Sequence, residues 1–559
     1  MIPVAEQMNT KIMTIGIDGA TLDIIRPLIK KGKLPNIARL VENGVSGKIA
    51  STMPPISGPA WTTIQTGLNP GKHGLYDFFR NIPEHYSRTI INSTFLSAKT
   101  FWEILSDNGY TIGIVNMLFT YPPKPVNGFM VSGGQVSGSD KEYTFPGSLK
   151  QEILQMEPGY KLDPFERISQ TKKFLDGIPA HLYRQERIHC HLLKKYSPDF
   201  FINYFPIPDI IHHTFWKHMD PLHPLHNEKK ARQYLPLIET CYETLDKIIG
   251  NRMEMMDENG VIIVISDHGG GPLHKFVQLN KWLQDEGLMS LESGHQNKNH
   301  SFLKFIGKLK KKFIDFSAPY DTIGLRHWMG NFSREKRRSF VMSNIIDWSK
   351  TKAYAGRPGE QGIHCNLQGR EKYGIVAPGK EYEKVRDDII EGLSLLRDPE
   401  SGDKIFDNVF KREEIYEGPF VSNAPDIIFD FGDAPYQSGD ALLADRLFQN
   451  VTEGSVNGKH RQNGVLFVHG KGIKKESKIK GARLCDYAPT VLHLMGIPIP
   501  HEMDGKVLVD IFEPAFMEKN PVKYKNTPVV NPDSNSGEGR FTPEESESIT
   551  ERLKSLGYL

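Results

Sequence analysis

The chain has 559 residues, a mass of 63.4 kDa and a formal net charge of +2, with 69 Lys plus Arg against 67 Asp plus Glu. That balance argues against a nucleic-acid coat and against an acidic tail protein, and so against nucleic acid as a partner. With 38% hydrophobic and 24% charged residues the composition is globular, on the polar side, and the 20 histidines direct attention to metal ligation. Cys190, Cys241, Cys365 and Cys485 are far apart with no C-x-x-C pair, which fits free thiols in a reducing compartment. The first residues show no basic start followed by an apolar run, and no stretch approaches the roughly 18 apolar residues of a membrane span. The expectation is a cytoplasmic protein with no integral membrane association.

In chain order, Ile12 to Ile17 reads as a first strand, followed at once by Asp18-Gly19 and then by a helical stretch from Leu22 to Asn43. Strand signals recur at Thr111–Met117, Phe200–Tyr204, Val261–Ile265, Asp426–Phe429 and Val465–Val468, with helical periods between them, as at Thr100–Asn108 and Leu235–Glu258. Alternating buried strands and helices predict an α/β fold with a mostly parallel central sheet and helices on both faces. One domain spans residues 11–520 in this reading. Residues 130–197 and 275–350 break the rhythm and read as inserted cap or lid segments over the active edge of the sheet. Residues 521–540, rich in Pro, Asn, Ser and Gly, read as a linker. Residues 541–559 form a helical tail, with Thr542 as N-cap and Pro543 in the first turn.

Three predicted strands end in a candidate hard ligand: Asp18, the pair Asp267-His268, and Asp209 within Pro208-Asp209-Ile210-Ile211-His212-His213. Parallel strands would deliver all three to one rim, the carboxyl ends, where open α/β sheets bind their ligands. Asp209 and His213 are four residues apart and share a face if a helix starts there, while His212 points elsewhere. His460 stands in a Gly-flanked loop before the strand Val465–Val468. Taken singly, each of these residues is explained as a turn former or a helix cap. Together they supply six N/O ligands, enough for two divalent ions of the kind that clamp the attacking and leaving oxygens of phosphoryl transfer.

Residues 51–74 contain Ser57, which fits a helix N-cap with Pro59 in the first turn. Exposed amides and a partial positive charge at that end would stabilise a Ser57 alkoxide, and a metal would do so better. Thr52, Thr62 and Thr63 are competing hydroxyls. Lys72 and His73 read as a solvated turn. The stripe Phe302, Phe305, Ile306, Leu309, Phe313 and Phe316, with Lys304, Lys308 and Lys310 to Lys312 between, reads as an amphipathic helix, either a lid packed on the core or an interfacial helix.

The segments GIDGA, ISGPAWTTIQTGLNPGKHG, PDIIHH, SDHGG and GKHRQNG resemble the alkaline-phosphatase superfamily, in its type I phosphodiesterase/nucleotide pyrophosphatase branch. CNLQGREKYGIV, LRDPESGDKIF and CDYAPTVLHLMGIPIPHEMDG extend the resemblance over residues 11–512. The resemblance implies an alkaline-phosphatase-like hydrolase fold with a bimetal site. Asp209, His213 and His460 would hold one ion. Asp18, Asp267, His268 and the nucleophile Ser57 would hold the other, with zinc the first expectation and manganese also admitted. The implied reaction is hydrolysis of phosphodiester or pyrophosphate bonds through a phospho-Ser intermediate. The substrate would be a small phosphorylated molecule: a nucleotide, a sugar phosphate or a lipid-linked phosphate.

Two positions depart from the relatives. Nucleotide pyrophosphatases carry an Asn three residues after the nucleophile, where this chain has Ala60, and sulfatases carry an Arg where it has Trp61. No phosphate-binding Arg of the phosphomonoesterase kind is placed, which favours diesters. The alternatives are a phosphomonoesterase, a phosphomutase-like transferase, a sulfatase, or a non-catalytic metal-dependent phosphate-binding protein.

Overall fold

Short runs of β-branched and aromatic residues, apolar on both faces, assemble into one nine-stranded sheet. The computed structural model describes residues 11–138, 140–160, 162, 170–292, 345–439, 441–530 and 541–555. In chain order the strands of the central sheet are β1 (Ile12–Ile17), β2 (Val45–Ala50), β3 (Ile112–Val115), β4 (Gly128–Val131), β5 (Thr144–Phe145), β6 (Phe200–Phe205), β7 (Val261–Ile265), β8 (Asn463–Gly470) and β9 (Ser477–Arg483). Their order across the sheet is β9-β2-β8-β7-β1-β6-β3-β4-β5. The five strands from β7 to β4 run parallel, as do β2 and β9, while β8 is antiparallel to both its neighbours and β5 is antiparallel to β4. The sheet is thus mostly parallel and sandwiched by helices, as the sequence predicts. β1 and β6 are buried along their whole length, which is why they read as continuous apolar runs rather than alternating ones.

The helical stretch after β1 is two helices, Leu22–Lys30 and Pro35–Asn43. Gly32, at φ +72°, turns the chain between them, and Pro35 opens the second. Lys172–Tyr196 and Glu228–Met255 are long helices of 25 and 28 residues, and the buried pair Arg252–Glu186, 2.7 Å apart, joins them. Gly128–Val131, at the start of the segment expected to hold no core strand, joins the sheet as β4.

The expected strand Asp426–Phe429 is Ile427–Asp430, and it lies outside the central sheet. It belongs to a four-stranded antiparallel sheet with Ala353–Ala355, Gly362–Cys365 and Asn408–Lys411. That sheet and a three-stranded one of Lys275–Gln278, Tyr436–Gly439 and Phe448–Asn450 surround a second apolar core around Trp282, Ile363, Phe406 and Phe429. Its strands pair with partners far away in the chain, such as Gly362 with Ile428 and Lys275 with Tyr436, so three apolar residues in a row did not reveal which sheet they enter. The amphipathic segment 302–316 and the stretch 531–540 lie outside the described residues. The tail helix Pro543–Ser555 begins in a reciprocal cap: the Glu545 amide donates to Thr542 Oγ1 at 3.2 Å, and the Thr542 amide to the Glu545 carboxylate at 2.9 Å.

Candidate active site

The carboxyl ends of β1, β6 and β7 lie side by side, and each carries acidic or imidazole groups onto one rim. Asp18 follows β1, Asp267 and His268 follow β7, and Asp209 opens the helix Asp209–Met219 four residues beyond β6. All four are buried. The turn after β1 is tight because Asp209 sits against it. A Cβ on Gly19 would lie 2.8 Å from the Asp209 Cβ, and Gly19 has φ +68°, so the position takes glycine on both counts. The Asp209 amide donates to the Asp18 carbonyl at 3.0 Å, and the Gly19 amide to Asp267 Oδ1 at 3.3 Å.

Two clusters of ligand atoms result. Asp209, His213 and His460 form one, and Asp18, Asp209 and His268 the other, with the atoms of each within 4.8 Å of one another. Asp209 belongs to both. His213 is one helical turn after Asp209, its Nε2 3.4 Å from Asp209 Oδ2 and 2.9 Å from His460 Nε2. His268 Nε2 lies 3.2 Å from Asp18 Oδ1 and 3.3 Å from Asp267 Oδ2, so the side chains of the adjacent Asp267 and His268 converge. The His268 and His460 rings stack 3.7 Å apart, which brings the two clusters against each other.

In each of the three histidines the other nitrogen, Nδ1, faces a main-chain carbonyl: Gly458 for His213, Pro55 for His460 and Gly269 for His268, at 3.0, 2.8 and 3.0 Å. If Nδ1 carries the proton, Nε2 is left as a lone pair turned to the cluster, the arrangement that suits a metal-binding imidazole. His212 instead turns to the Tyr242 hydroxyl, 2.6 Å away.

The helix of the nucleophile candidate is Ser57–Thr66, with Ile56 as N-cap, so Ser57 is its first residue rather than its cap. Its hydroxyl is free of capping duty and lies 3.0 Å from His268 Nε2. The competing hydroxyls are engaged elsewhere. Thr52 and Thr62 donate to the carbonyls of Pro54 and Gly58, and Thr63 meets His73 at 3.1 Å. His73 is therefore buried rather than in a solvated turn. Lys72 pairs with Asp504. Trp61 points into the sheet: it packs edge-on against Tyr204, and a Cβ on Gly16 would lie 2.6 Å from its ring. The place of the sulfatase Arg is thus filled by core. Ala60 is equally buried.

The electrostatics describe a cluster short of positive charge. Burial opposes ionisation of Asp18, yet His268 and Tyr204 hold its pKa below the ordinary value. Burial and then the Asp18 charge push Asp267 well above it. Burial would lower His268, but Asp267 and Asp18 reverse that and raise it to about 10. Burial, followed by His268 and His213, drives His460 well down. The buried Oδ2 atoms of Asp209 and Asp267 accept no hydrogen bond and lie 3.4 and 3.3 Å from the imidazole nitrogens of His213 and His268. Three buried carboxylates with three imidazoles, and lone oxygen atoms aimed inward, fit divalent cations.

Sequence reasoning missed two residues at this site. The Tyr204 hydroxyl donates to Asp18 Oδ2. Lys459, next to His460, lines a small cleft, about 60 Å³ in volume, that runs from Ile56, His213 and His460 past Pro358 to Phe431 and Tyr436 of the second core. Burial, with Arg461 adding to it, lowers the Lys459 pKa to about 7. The only signal in the sequence was the place of Lys459 inside Gly458-Lys459-His460-Arg461.

Residues 12–454 match the family described as type I phosphodiesterase / nucleotide pyrophosphatase. Phosphonoacetate hydrolase of Sinorhizobium meliloti 1021, solved with phosphonoformate, is similar in structure with a TM-score of 0.52 at 14% identity, over 87% of this chain and 95% of that one. Human ectonucleotide pyrophosphatase / phosphodiesterase 5 aligns at 16% identity and a TM-score of 0.46, over 90% of this chain and 100% of that one. At 14% identity the likeness to the phosphonoacetate hydrolase concerns the fold alone. A stretch of 63 residues is 43% identical to the 2,3-bisphosphoglycerate-independent phosphoglycerate mutase of Shewanella oneidensis, and it covers 11% of this chain and only 12% of that protein.

Proposed function

The chain belongs to the type I phosphodiesterase/nucleotide pyrophosphatase family of the alkaline-phosphatase superfamily, and from that premise we propose that it hydrolyses phosphoric esters, phosphodiester or pyrophosphate bonds, with Ser57 as nucleophile. The observation that carries this reading is the Ser57 hydroxyl, 3.0 Å from His268 Nε2 at the edge of a buried cluster of three Asp and three His. Asp209, His213 and His460 would hold one divalent cation. Asp18, Asp267, His268 and Ser57 would hold the second, with Asp209 within reach of both, zinc in the first instance and manganese as the alternative. Such ions supply Lewis acidity, which lowers the pKa of a hydroxyl and offsets charge on phosphoryl oxygens.

The protein's own groups do the rest. Ser57 Oγ forms a bond to phosphorus as the bond to the leaving oxygen breaks, and the leaving oxygen takes up a proton. Water then cleaves the phospho-Ser ester and restores the hydroxyl. The position of Ser57 in the first turn aims main-chain amides at the phosphoryl group. Asp18, fixed by Tyr204, and Asp267, fixed by the Gly19 amide, keep His268 beside the hydroxyl. In this reading a small phosphorylated molecule would approach along the cleft between the rim and the second core. Residues 275–292 and 345–350, which join the second core, act in the same reading with the strands that follow them as the cap, and residues 293–344 of the expected segment lie outside the described residues.

Among the described residues no helix is long and apolar enough to cross a membrane. The four cysteines are free and buried, which supports a reducing compartment, the cytoplasm, as the place of action.

The test is a panel of bis-p-nitrophenyl, p-nitrophenyl phosphate and p-nitrophenyl sulfate esters on metal-loaded protein. Turnover of the phosphodiester that disappears with a chelator and falls by about a thousandfold or more in Ser57→Ala is the expected result. Full activity in Ser57→Ala would remove the nucleophile, and preference for the sulfate ester would remove the reaction class.

A further inference from the structure

Lys459 is a buried amine that makes no ion pair among the described residues. It stands in the strand Gly458–Arg461, which pairs antiparallel with Gly269–Pro272, and only 6% of it is exposed. Its ammonium donates to the Gly432 carbonyl at 3.0 Å and lies 5.6 Å from the centre of the Phe431 ring. Among the described residues no carboxylate comes within 4.0 Å of it. The two acidic groups nearby are committed to other partners. Asp430 accepts from the Gly432 amide and from Asn408, and Asp433 pairs with Arg461 at 3.3 Å. An ammonium has three N–H donors, and burial with one carbonyl and one ring face leaves it short of hydrogen bonds and of negative charge. Lys459 lines the cleft that opens onto His213 and His460.

We propose that Lys459 contacts the substrate, pairing with a second anionic group, a carboxylate or a phosphate, carried by the phosphate ester beside the bond that is cleaved. This rests on the hydrolytic reading of the site and narrows its substrate class to esters that carry such a group. A simple diester with neutral arms would leave the Lys459 charge unpaired. A phosphorylated acid or a compound with two phosphates would satisfy it. The cleft walls agree: Phe431 and Tyr436 give the molecule an apolar body to pass along, and Lys459 gives its far end a charge.

The test compares probes that are not hydrolysed, on the full metal-loaded chain, by titration calorimetry. Methylphosphonate carries the phosphoryl-like group alone, whereas phosphonopropionate and phosphonobutyrate add a carboxylate at two reaches. Native protein is expected to bind at least one of the carboxylated probes about tenfold or more tighter than methylphosphonate, the range of a charge-assisted hydrogen bond. In Lys459→Met that ratio is expected to collapse towards one, and in Lys459→Arg to be kept in part. Equal affinities for all three probes in the native protein, or the same ratio in Lys459→Met, would overturn the proposal. Calorimetry needs no turnover. A protein that shows the Lys459-dependent ratio but cleaves no ester would lose the hydrolytic reading while keeping the anion contact.

Discussion

Asp209 is the single side chain that both ligand clusters use, and its main chain also ties the helix after β6 to the turn after β1. Its loss therefore differs from that of a ligand serving one cluster. Asp209→Ala is predicted to reduce bound metal from about two ions per chain to below one, and His460→Ala only to about one. Elemental analysis of protein dialysed against zinc measures both, and equal losses would refute the sharing of Asp209. Gly19 carries a companion prediction. An added Cβ meets Asp209 at 2.8 Å, in a left-handed conformation that costs a side chain about 1–2 kcal/mol. Gly19→Ala is expected to weaken metal binding by displacing Asp209, and a competition titration with a chelating dye reads that directly. At this scale the sequence was informative because the acids and histidines sit at strand ends, where topology brings them together. Lys459 was not legible: its burial depends on Phe431 and Gly432, which arrive from a part of the chain with no pairing signal to place it.

The elements behind the site carry a different kind of polar burial. Glu186 and Arg252 sit on the two long helices Lys172–Tyr196 and Glu228–Met255, each about 1% exposed. Arg252 Nε and Nη2 both donate to the Glu186 carboxylate, and Asn251 adds a third bond at 2.9 Å. Removing one partner strands a buried charge, at a cost of about 3–5 kcal/mol, whereas an apolar replacement of both is close to neutral. Glu186→Ala is thus predicted to lower the urea midpoint strongly, and the double variant Glu186→Ala with Arg252→Met to recover much of the loss. A double variant as weak as the single one would show that packing, rather than the unpaired charge, sets the effect. The helices themselves were visible as long 3.6-residue periods. Their mutual pairing was not, since periodicity gives the apolar face and says nothing of which other helix covers it.

On the scale of the whole molecule, two apolar cores face each other across the cleft, and the central sheet places its charged rim between them. The alternation of strands and helices announced the large sheet. The second core was misread in part because its strands are short and their partners distant in the chain, so Ile427–Asp430 looks like any buried strand until those partners are known. The rim has a consequence for stability. Asp18, Asp209 and Asp267 are all buried, and at the site they face imidazoles whose charge requires a proton. Divalent ions that bind this rim and not the unfolded chain add RT ln(1 + [L]/Kd) to the stability, about 4 kcal/mol at a thousandfold excess over Kd. Chelator-treated protein is therefore predicted to melt several degrees lower than native protein, with the midpoint restored saturably by zinc or manganese and not by sodium salts at equal ionic strength. The same experiment on Asp209→Ala should show little response to either metal, because the carboxylate common to both clusters is gone. A native protein whose midpoint is indifferent to chelator and to added zinc would place no metal at the rim, and a variant that still responds fully would place it somewhere other than around Asp209.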